Sequence, residues 1–254
     1  MVLYSGHGEF PRVIFAPGSL AQAFALGQKA FEMADKYQVP AFILSDQYLM
    51  DSYYNCPAFT FKPNEIKQEI VRTDKDYRRY KLTSSGISPR GIPDYGDGLV
   101  LVDSDEHDEW GRITEKMDIR NAMVNKRLKK LVQLKKEALP PTLVGSKNFK
   151  TLIVCWGSNY LIVKEALDWL KKKDLAMLHF SQVYPVADVA RKYFKQALRV
   201  IIVENNATGQ FAQLLKLQLG VEADEKILKY DGLPFFVDEL APRIEKAVKK
   251  GGRR

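Results

Sequence analysis

RVIIVENNATGQFAQLL, residues 199–215, is the stretch whose reading decides the fold. Residues 200–203 form an apolar run of strand length. Residues 204–209 are a polar turn, and from Gln210 the apolar spacing becomes helical. Strand, turn and helix in that order put the turn at the carboxyl end of a strand, where open α/β sheets meet ligands and partners. The turn presents Asn205, Asn206, Thr208, Gly209 and Gln210, which hydrogen-bond but include no strong acid, base or nucleophile. Recognition or docking is expected here more than bond breaking. A second reading stays open, in which Asn206 or Thr208 merely caps the helix. Asn205 and Gln210 would then remain exposed for a partner.

The same alternation extends on both sides. Residues 151–155 read as a strand, followed by Trp156-Gly157-Ser158 and a helix carrying Val163, Ala166, Leu167 and Leu170 on one face. Strand 175–180, helix 187–196, a last short strand at 227–230 and a helix with Val237, Leu240, Ala241, Ile244 and Val248 complete the pattern. It predicts a mostly parallel sheet with helices on both faces over 151–254. Pro140-Pro141 stops the preceding helix, and 139–150 reads as a linker.

Upstream the rhythm is less complete. Strand 12–16, a helix capped by Ser19 with apolar Leu20, Ala23, Phe24, Gly27, Phe31 and Ala34 on its buried face, and strand 41–44 make one strand–helix–strand unit. Residues 49–97 lose all periodicity. Their content of Phe59, Phe61, Tyr77, Tyr80, Leu82 and Ile87 argues for an ordered arm that gains its burial from a partner or the second domain. Residues 98–102 read as a third strand. A charged helix over 115–138 follows, with Met117, Val124, Leu128 and Leu131 on one face. Three strands make a parallel sheet that is hard to cover, so 1–110 is expected to be the later half of a domain whose earlier half lies elsewhere.

Composition narrows the chemistry. The 254 residues carry a net charge of +8, with basic clusters at 126–136, 171–173 and 249–254. No aromatic platform accompanies them, so they read as solvated helix ends more than as a nucleic-acid surface. No apolar run reaches membrane-span length, and the N-terminus lacks a signal-peptide pattern. A cytoplasmic protein is expected. Cys56 and Cys155 have no metal-binding spacing, and 103–109 (DSDEHDE) reads as a solvated acidic loop, not a metal site. His179, inside a strand, reads as structural, and His7 as a polar loop residue. No P-loop, nucleophile elbow or zinc-protease motif occurs.

Particular motifs carry a resemblance. They are GEFPR at 8–12, APGS at 16–19, ILSDQY at 43–48, YKLT at 80–83, GISPR at 86–90, VDSDEH at 102–107 and RITE at 112–115. WGS at 156–158, HFSQVYP at 179–185, ENNATGQF at 204–211 and LKYDG at 228–232 continue it. The sequence resembles the alpha subunit of 2-oxoacid:ferredoxin oxidoreductases over nearly its whole length, the 2-oxoglutarate type in particular. The resemblance implies an α/β fold: the later part of a thiamine pyrimidine-binding domain with an irregular arm and long helix over 1–138, then a transketolase C-terminal-like domain over 151–254. It implies oxidative decarboxylation of a 2-oxoacid to acyl-CoA, with ferredoxin as electron acceptor. Thiamine diphosphate and magnesium would serve the assembled complex, held largely by a beta subunit, with iron–sulfur clusters on other subunits.

One departure matters. The family's Tyr-Pro-Ile-Thr-Pro-type segment, and the glutamate that activates the thiamine aminopyrimidine, are not found in these residues. A thiamine enzyme needs that carboxylate. The chain is therefore expected to be inactive alone, to bind no thiamine diphosphate by itself, and to work with the beta subunit and possibly a chain supplying the absent half, with ferredoxin and coenzyme A engaged by the complex. Its expected docking residues are Ser88, Pro89 and Arg90 in the 86–93 loop, and Asn205, Asn206, Thr208, Gly209 and Gln210. A self-sufficient α/β module binding a small molecule or anion near Gly157 and Gly209 is the rival reading. Nucleic-acid binding through 126–136 comes third.

Overall fold

The computed structural model describes residues 2–60 and 67–250; Phe61 and residues 251–254 of the basic tail lie outside them. The chain forms two compact units. One comprises 1–13, 28–42 and 60–136; the other comprises 14–27, 43–59 and 137–254. The division is interleaved, unlike the single break expected at 139–150. Its cause lies in β1 (Val13–Phe15), where Ile14 and Phe15 pair antiparallel with Tyr184 and Gln182 of β6 (Gln182–Tyr184). Those hydrogen bonds tie an early strand to late residues. β2 (Ala41–Ile43) completes the order β2-β1-β6.

The larger unit holds a five-stranded sheet in the order β3-β5-β4-β7-β8. Its strands are β3 (Thr142–Gly145), β4 (Thr151–Trp156), β5 (Leu175–Phe180), β7 (Arg199–Glu204) and β8 (Glu225–Leu228). All neighbours pair in parallel except β3, which runs antiparallel to β5 at the edge. The expected linker thus carries a strand: 142–145 is too short to stand out as a periodic run, and the exposed edge of β5 recruits it. β4, β5 and β7 are buried along nearly their full length, which explains their continuous apolar runs.

Strand alternation splits the core in two. Ile153, Cys155, Leu175, Met177, Ile201, Val203 and Ile227 pack with Val163 and Ala166 of α4 (Asn159–Leu170) and with Leu240, Ala241, Ile244 and Ala247 of α7 (Val237–Lys249). The intervening residues face the other side, where Phe180 meets Phe211 of α6 (Gln210–Leu219) with ring centroids 5.0 Å apart. The helix expected at 187–196 is a 3-10 turn (Asp188–Ala190) running into α5 (Arg191–Gln196). Phe24 and Phe59 stack at 5.0 Å, so the start of the irregular arm finds an aromatic partner within this unit.

α1 (Leu20–Tyr37) begins as expected, with Ser19 Oγ accepting from Gln22 N at 3.3 Å. Its buried residues are Leu26, Ala30, Met33 and Tyr37, whereas Phe31 is 81% exposed. The expected apolar face is therefore not the one covered in this structure.

In the other unit, α3 (Met117–Lys136) also departs from its expected face. Met123, Lys126, Lys130 and Leu134 are buried, while Met117 and Leu128 are exposed. The two lysines are held by carbonyls: Lys126 Nζ donates to Tyr80 O at 2.9 Å and Lys130 Nζ to Gln38 O at 3.1 Å. Burial, followed by neighbouring cations, brings Lys126 down to about 7 and Lys130 to about 8. Part of the 126–136 basic cluster is thus an internal clamp, not a solvated helix end. A polar–apolar pattern cannot show this, because it counts every lysine as surface.

The acidic 103–109 stretch is a brace, contrary to the expected solvated loop. Arg127 grips Glu106 with two hydrogen bonds, at 3.0 and 2.8 Å, and their interaction holds the Glu106 carboxyl below its ordinary range. The His107 ring lies 3.7 Å from that of Tyr80, and Glu109 accepts from Leu82 N at 2.8 Å. The strand expected at 98–102 is unpaired and largely exposed, with Leu99 at 79%. The arm instead closes on Thr73, which donates its amide to Tyr95 O at 2.9 Å and accepts from Asp97 N at 2.8 Å. Tyr77 is buried within this unit and not by a partner; its hydroxyl donates to Pro89 O at 2.9 Å.

Gly96 is required at that closure. Its φ is 117°, and a Cβ there would lie 2.1 Å from Thr73 O and 2.5 Å from Thr73 N. We expect Gly96→Ala to cost about 3 kcal/mol, since both backbone strain and a backbone clash are imposed. Hydrogen exchange provides the check: protection of the amides of Thr73 and Asp97 should collapse in the variant, and unchanged protection would refute the closure.

Candidate functional site

The strand order sets the position of the site. From β4 the chain proceeds to β5 on one side and later to β7 on the other, so the order reverses between β4 and β7. The carboxyl ends of those strands diverge there, leaving a crevice. Trp156-Gly157-Ser158 leaves β4 and Glu204-Asn205-Asn206 leaves β7 at this point.

The β7 turn is organised by a residue that sequence reasoning passed over. Glu204 is fully buried and is the only buried carboxylate among the described residues. It accepts from Trp156 Nε1 (3.3 Å), Asn206 Nδ2 (2.8 Å), Phe211 N (2.8 Å) and Ala212 N (2.9 Å). The last two are first-turn amides of α6, so this carboxylate caps the helix from seven and eight residues upstream of the amides it accepts and complements its dipole. Asn206 Oδ1 accepts from Gly209 N at 2.7 Å and from Gln210 N at 3.1 Å.

Asn206 is thus a cap, one of the two readings left open above. Gly209 is buried with a left-handed φ of 67°. Asn205, Thr208 and Gln210 are exposed. The second set of expected docking residues belongs to the other unit and is largely engaged there. Ser88 is buried, its hydroxyl donating to Lys81 O at 2.9 Å and its carbonyl accepting from Gln38 Nε2 at 2.7 Å. Arg90 is ion-paired with Asp35. Ser88 in particular has no surface to offer a partner, which corrects its expected role.

A cavity of about 640 Å³ opens at the crevice, lined by Asp46, Tyr48, Asp51, Ser158, Asn159 and Asn205, with Tyr230, Leu233 and Phe235 among the rest. Ser158 Oγ donates to Asp46 Oδ2, and Asp46 Oδ1 accepts from Leu49 N at 2.9 Å, capping the short helix α2 (Gln47–Asp51). Burial and the neighbouring Tyr54 raise the Tyr48 phenol above its ordinary value. His179 lies just behind, buried, with Nε2 2.9 Å from Gly157 O and its ring 4.7 Å from that of Tyr160.

The class this unit defines is a doubly wound α/β domain with a polar crevice at its switch point. Comparison with known proteins makes this specific. Residues 1–126 match the family described as "Pyruvate flavodoxin/ferredoxin oxidoreductase, thiamine diP-bdg". The chain is 35% identical over 264 aligned residues to the 2-oxoacid:ferredoxin oxidoreductase subunit alpha of Saccharolobus solfataricus, covering 99% of this chain and 41% of the relative. It is 24% identical to the 2-oxoglutarate synthase subunit KorA of Archaeoglobus fulgidus, covering 80% of this chain and 53% of that one. The fold is that of the 2-oxoglutarate:ferredoxin oxidoreductase of Magnetococcus marinus, whose structure has 2-oxoglutarate, coenzyme A and succinyl-CoA bound: TM-score 0.83, 23% identity, 96% of this chain and 43% of that one. The chain belongs to the family of 2-oxoacid:ferredoxin oxidoreductase alpha subunits.

The family's thiamine diphosphate can be tested against the residues present. Activation of its aminopyrimidine requires a carboxylate free to face the ring. Glu204, the buried candidate, is already committed to four donors. Among the described residues, no group of three or more His, Cys, Asp or Glu side chains could hold a metal ion with the diphosphate. Glu204 is therefore not free to serve that activating role. Cys155 is equally unsuited to chemistry, because burial pushes its thiol well above the ordinary range. Among the described residues, no helix is long and apolar enough to cross a membrane.

Proposed function

We propose that this chain is the recognition part of an alpha subunit that takes part in oxidative decarboxylation of a 2-oxoacid to acyl-CoA, with ferredoxin accepting the electrons. One observation carries the reading: an alignment at 35% identity that spans 99% of the chain. 2-Oxoglutarate is the proposed substrate, because the KorA relatives and the Magnetococcus marinus enzyme carry it in their names. The chain spans 41% of the length of its more similar relatives, and the rest of the machinery would lie on other polypeptide. That polypeptide would include a beta subunit holding thiamine diphosphate and magnesium, and subunits carrying iron–sulfur clusters. The role proposed for this chain is to position the assembly without reacting, with Asn205, Thr208 and Gln210 as exposed contacts.

The test has two arms. Calorimetry on the isolated chain should show no thiamine diphosphate binding, and tight binding by it would refute the non-catalytic role. Co-expression with a beta subunit and the remaining alpha-subunit sequence should give coenzyme A-dependent reduction of a viologen dye by 2-oxoglutarate. In that complex, Asn205→Ala or Gln210→Ala should weaken assembly several-fold and leave the 151–254 fold intact.

A further inference from the structure

Three cations meet in the smaller unit without a carboxylate partner among the described residues. Lys126 Nζ donates to Tyr80 O at 2.9 Å, Lys130 Nζ to Gln38 O at 3.1 Å, and Arg79 Nη1 to Gln38 Oε1 at 2.7 Å. Each acceptor is a neutral amide oxygen. Lys126 and Lys130 are 7% and 8% exposed and lie one turn apart on α3. Lys126 Nζ and Arg79 Cζ approach the same Tyr80 ring, at 5.5 and 5.1 Å from its centroid. The carboxylates nearby are already held: Glu106 by Arg127, and Glu109 by Arg78 at 3.2 Å and by Leu82 N at 2.8 Å.

Like charges gathered out of water call for an anion. Arg79 keeps its charge at any ordinary pH, so the change falls to a lysine. Losing a proton would bring Lys126 to neutrality and still leave Arg79 without a counter-charge. Becoming an anion would relieve the crowding and supply that counter-charge. Lys126 is suited to the change. Desolvation first, then Lys130, Arg79 and Arg127, bring its amine down to about 7, so part of it is an unprotonated nucleophile near neutrality. Its bond to Tyr80 O is only part-buried, yet the residue as a whole is enclosed, which suits a very small electrophile better than a bulky acyl donor.

We propose that Lys126 is a carbamylation site: its amine adds carbon dioxide, and the resulting N-carboxylate faces the guanidinium of Arg79 and the ammonium of Lys130. The Nζ lone pair forms the N–C bond, one C=O π pair moves onto oxygen, and a proton leaves Nζ for solvent. Nothing is oxidised or reduced. The N–H that remains still donates to Tyr80 O, so the clamp on the arm is kept while a neutral amine becomes an anion. The site rests on the geometry of this unit and stands independently of the proposed reaction, which would release the same carbon dioxide.

The full chain is equilibrated with isotope-labelled bicarbonate at mildly alkaline pH and followed by carbon NMR. It is then O-alkylated with a trialkyloxonium salt and mapped by peptide mass spectrometry. A saturable carbamate signal is expected, with the trapped adduct on Lys126 and not on its exposed neighbour Lys129. Lys126→Arg keeps a cation and a donor for Tyr80 O, and should abolish the signal. Arg79→Gln, which can still donate to Gln38, should lower occupancy at fixed bicarbonate about tenfold, the loss of one charge-assisted contact. No signal above that of Lys126→Arg overturns the inference. So does an adduct spread equally over Lys129 and other exposed lysines, or an occupancy indifferent to Arg79, which would leave Lys126 a structural clamp only.

Discussion

Glu204→Ala should destabilise the sheet unit by about 4 kcal/mol, as measured by urea denaturation followed through tryptophan fluorescence. The magnitude follows from what is left behind. Removing the carboxylate strands the Phe211 and Ala212 amides, the Trp156 indole and the Asn206 amide, all of which it accepts at 2.8–3.3 Å. Each buried donor left unmet costs about 1–3 kcal/mol, and relaxation or water entry recovers part of the sum. Glu204→Gln should cost less, about 2 kcal/mol, because its oxygen still serves one amide while its NH2 faces donors. A loss below about 1 kcal/mol for the alanine variant would show that the network is not holding the α6 terminus.

The second large effect is a pH dependence centred on His179. This residue is fully buried in β5, and its Nε2 donates to Gly157 O at 2.9 Å. Nδ1 is then the unprotonated nitrogen and has no partner. A proton on Nδ1 would be a buried charge with no acceptor, and burial accordingly lowers the pKa from 6.5 to about 4. Between those values the unfolded chain binds a proton that the folded chain refuses, so stability falls as pH drops from 6.5 toward 4. The full loss is about 3 kcal/mol, accumulated at roughly 1.36 kcal/mol per pH unit between 6.5 and about 4. In His179→Gln the slope between pH 6.5 and 4.5 should be shallower than in the wild type. Parallel slopes for the two proteins would eliminate His179 as the source.

The sheet unit was legible because burial on both faces writes itself into sequence as continuous apolar runs. β4, β5 and β7 lie within a residue of their expected bounds. The same rule misplaced α1 and α3, where long side chains disguise the covered face: Lys126 and Lys130 are buried through carbonyl hydrogen bonds, while Phe31 stays out. Residues 98–102 carry strand composition but join no strand ladder among the described residues, whereas the shorter run 142–145 gains an edge. Strand formation depends on a partner backbone, which composition does not supply. In the candidate site, the exposed Asn205 and the capping Asn206 were both within reach of sequence reasoning. Glu204 was not, because a glutamate ending a strand is an ordinary residue until its partners are seen.

Sequence by itself determined the family and the alternation of strands and helices over 151–254, since both are properties of residue order. Tertiary structure decided which helix faces are covered, that Ser88 and Gly209 are inside, and that Asp46 comes to Ser158 across 112 residues of chain. It also turned the 199–215 stretch from an undifferentiated polar turn into a buried capping network with an exposed amide beside a cavity. The physical reason is that burial and hydrogen-bond satisfaction are set by neighbours in space, and only the folded chain brings those neighbours together.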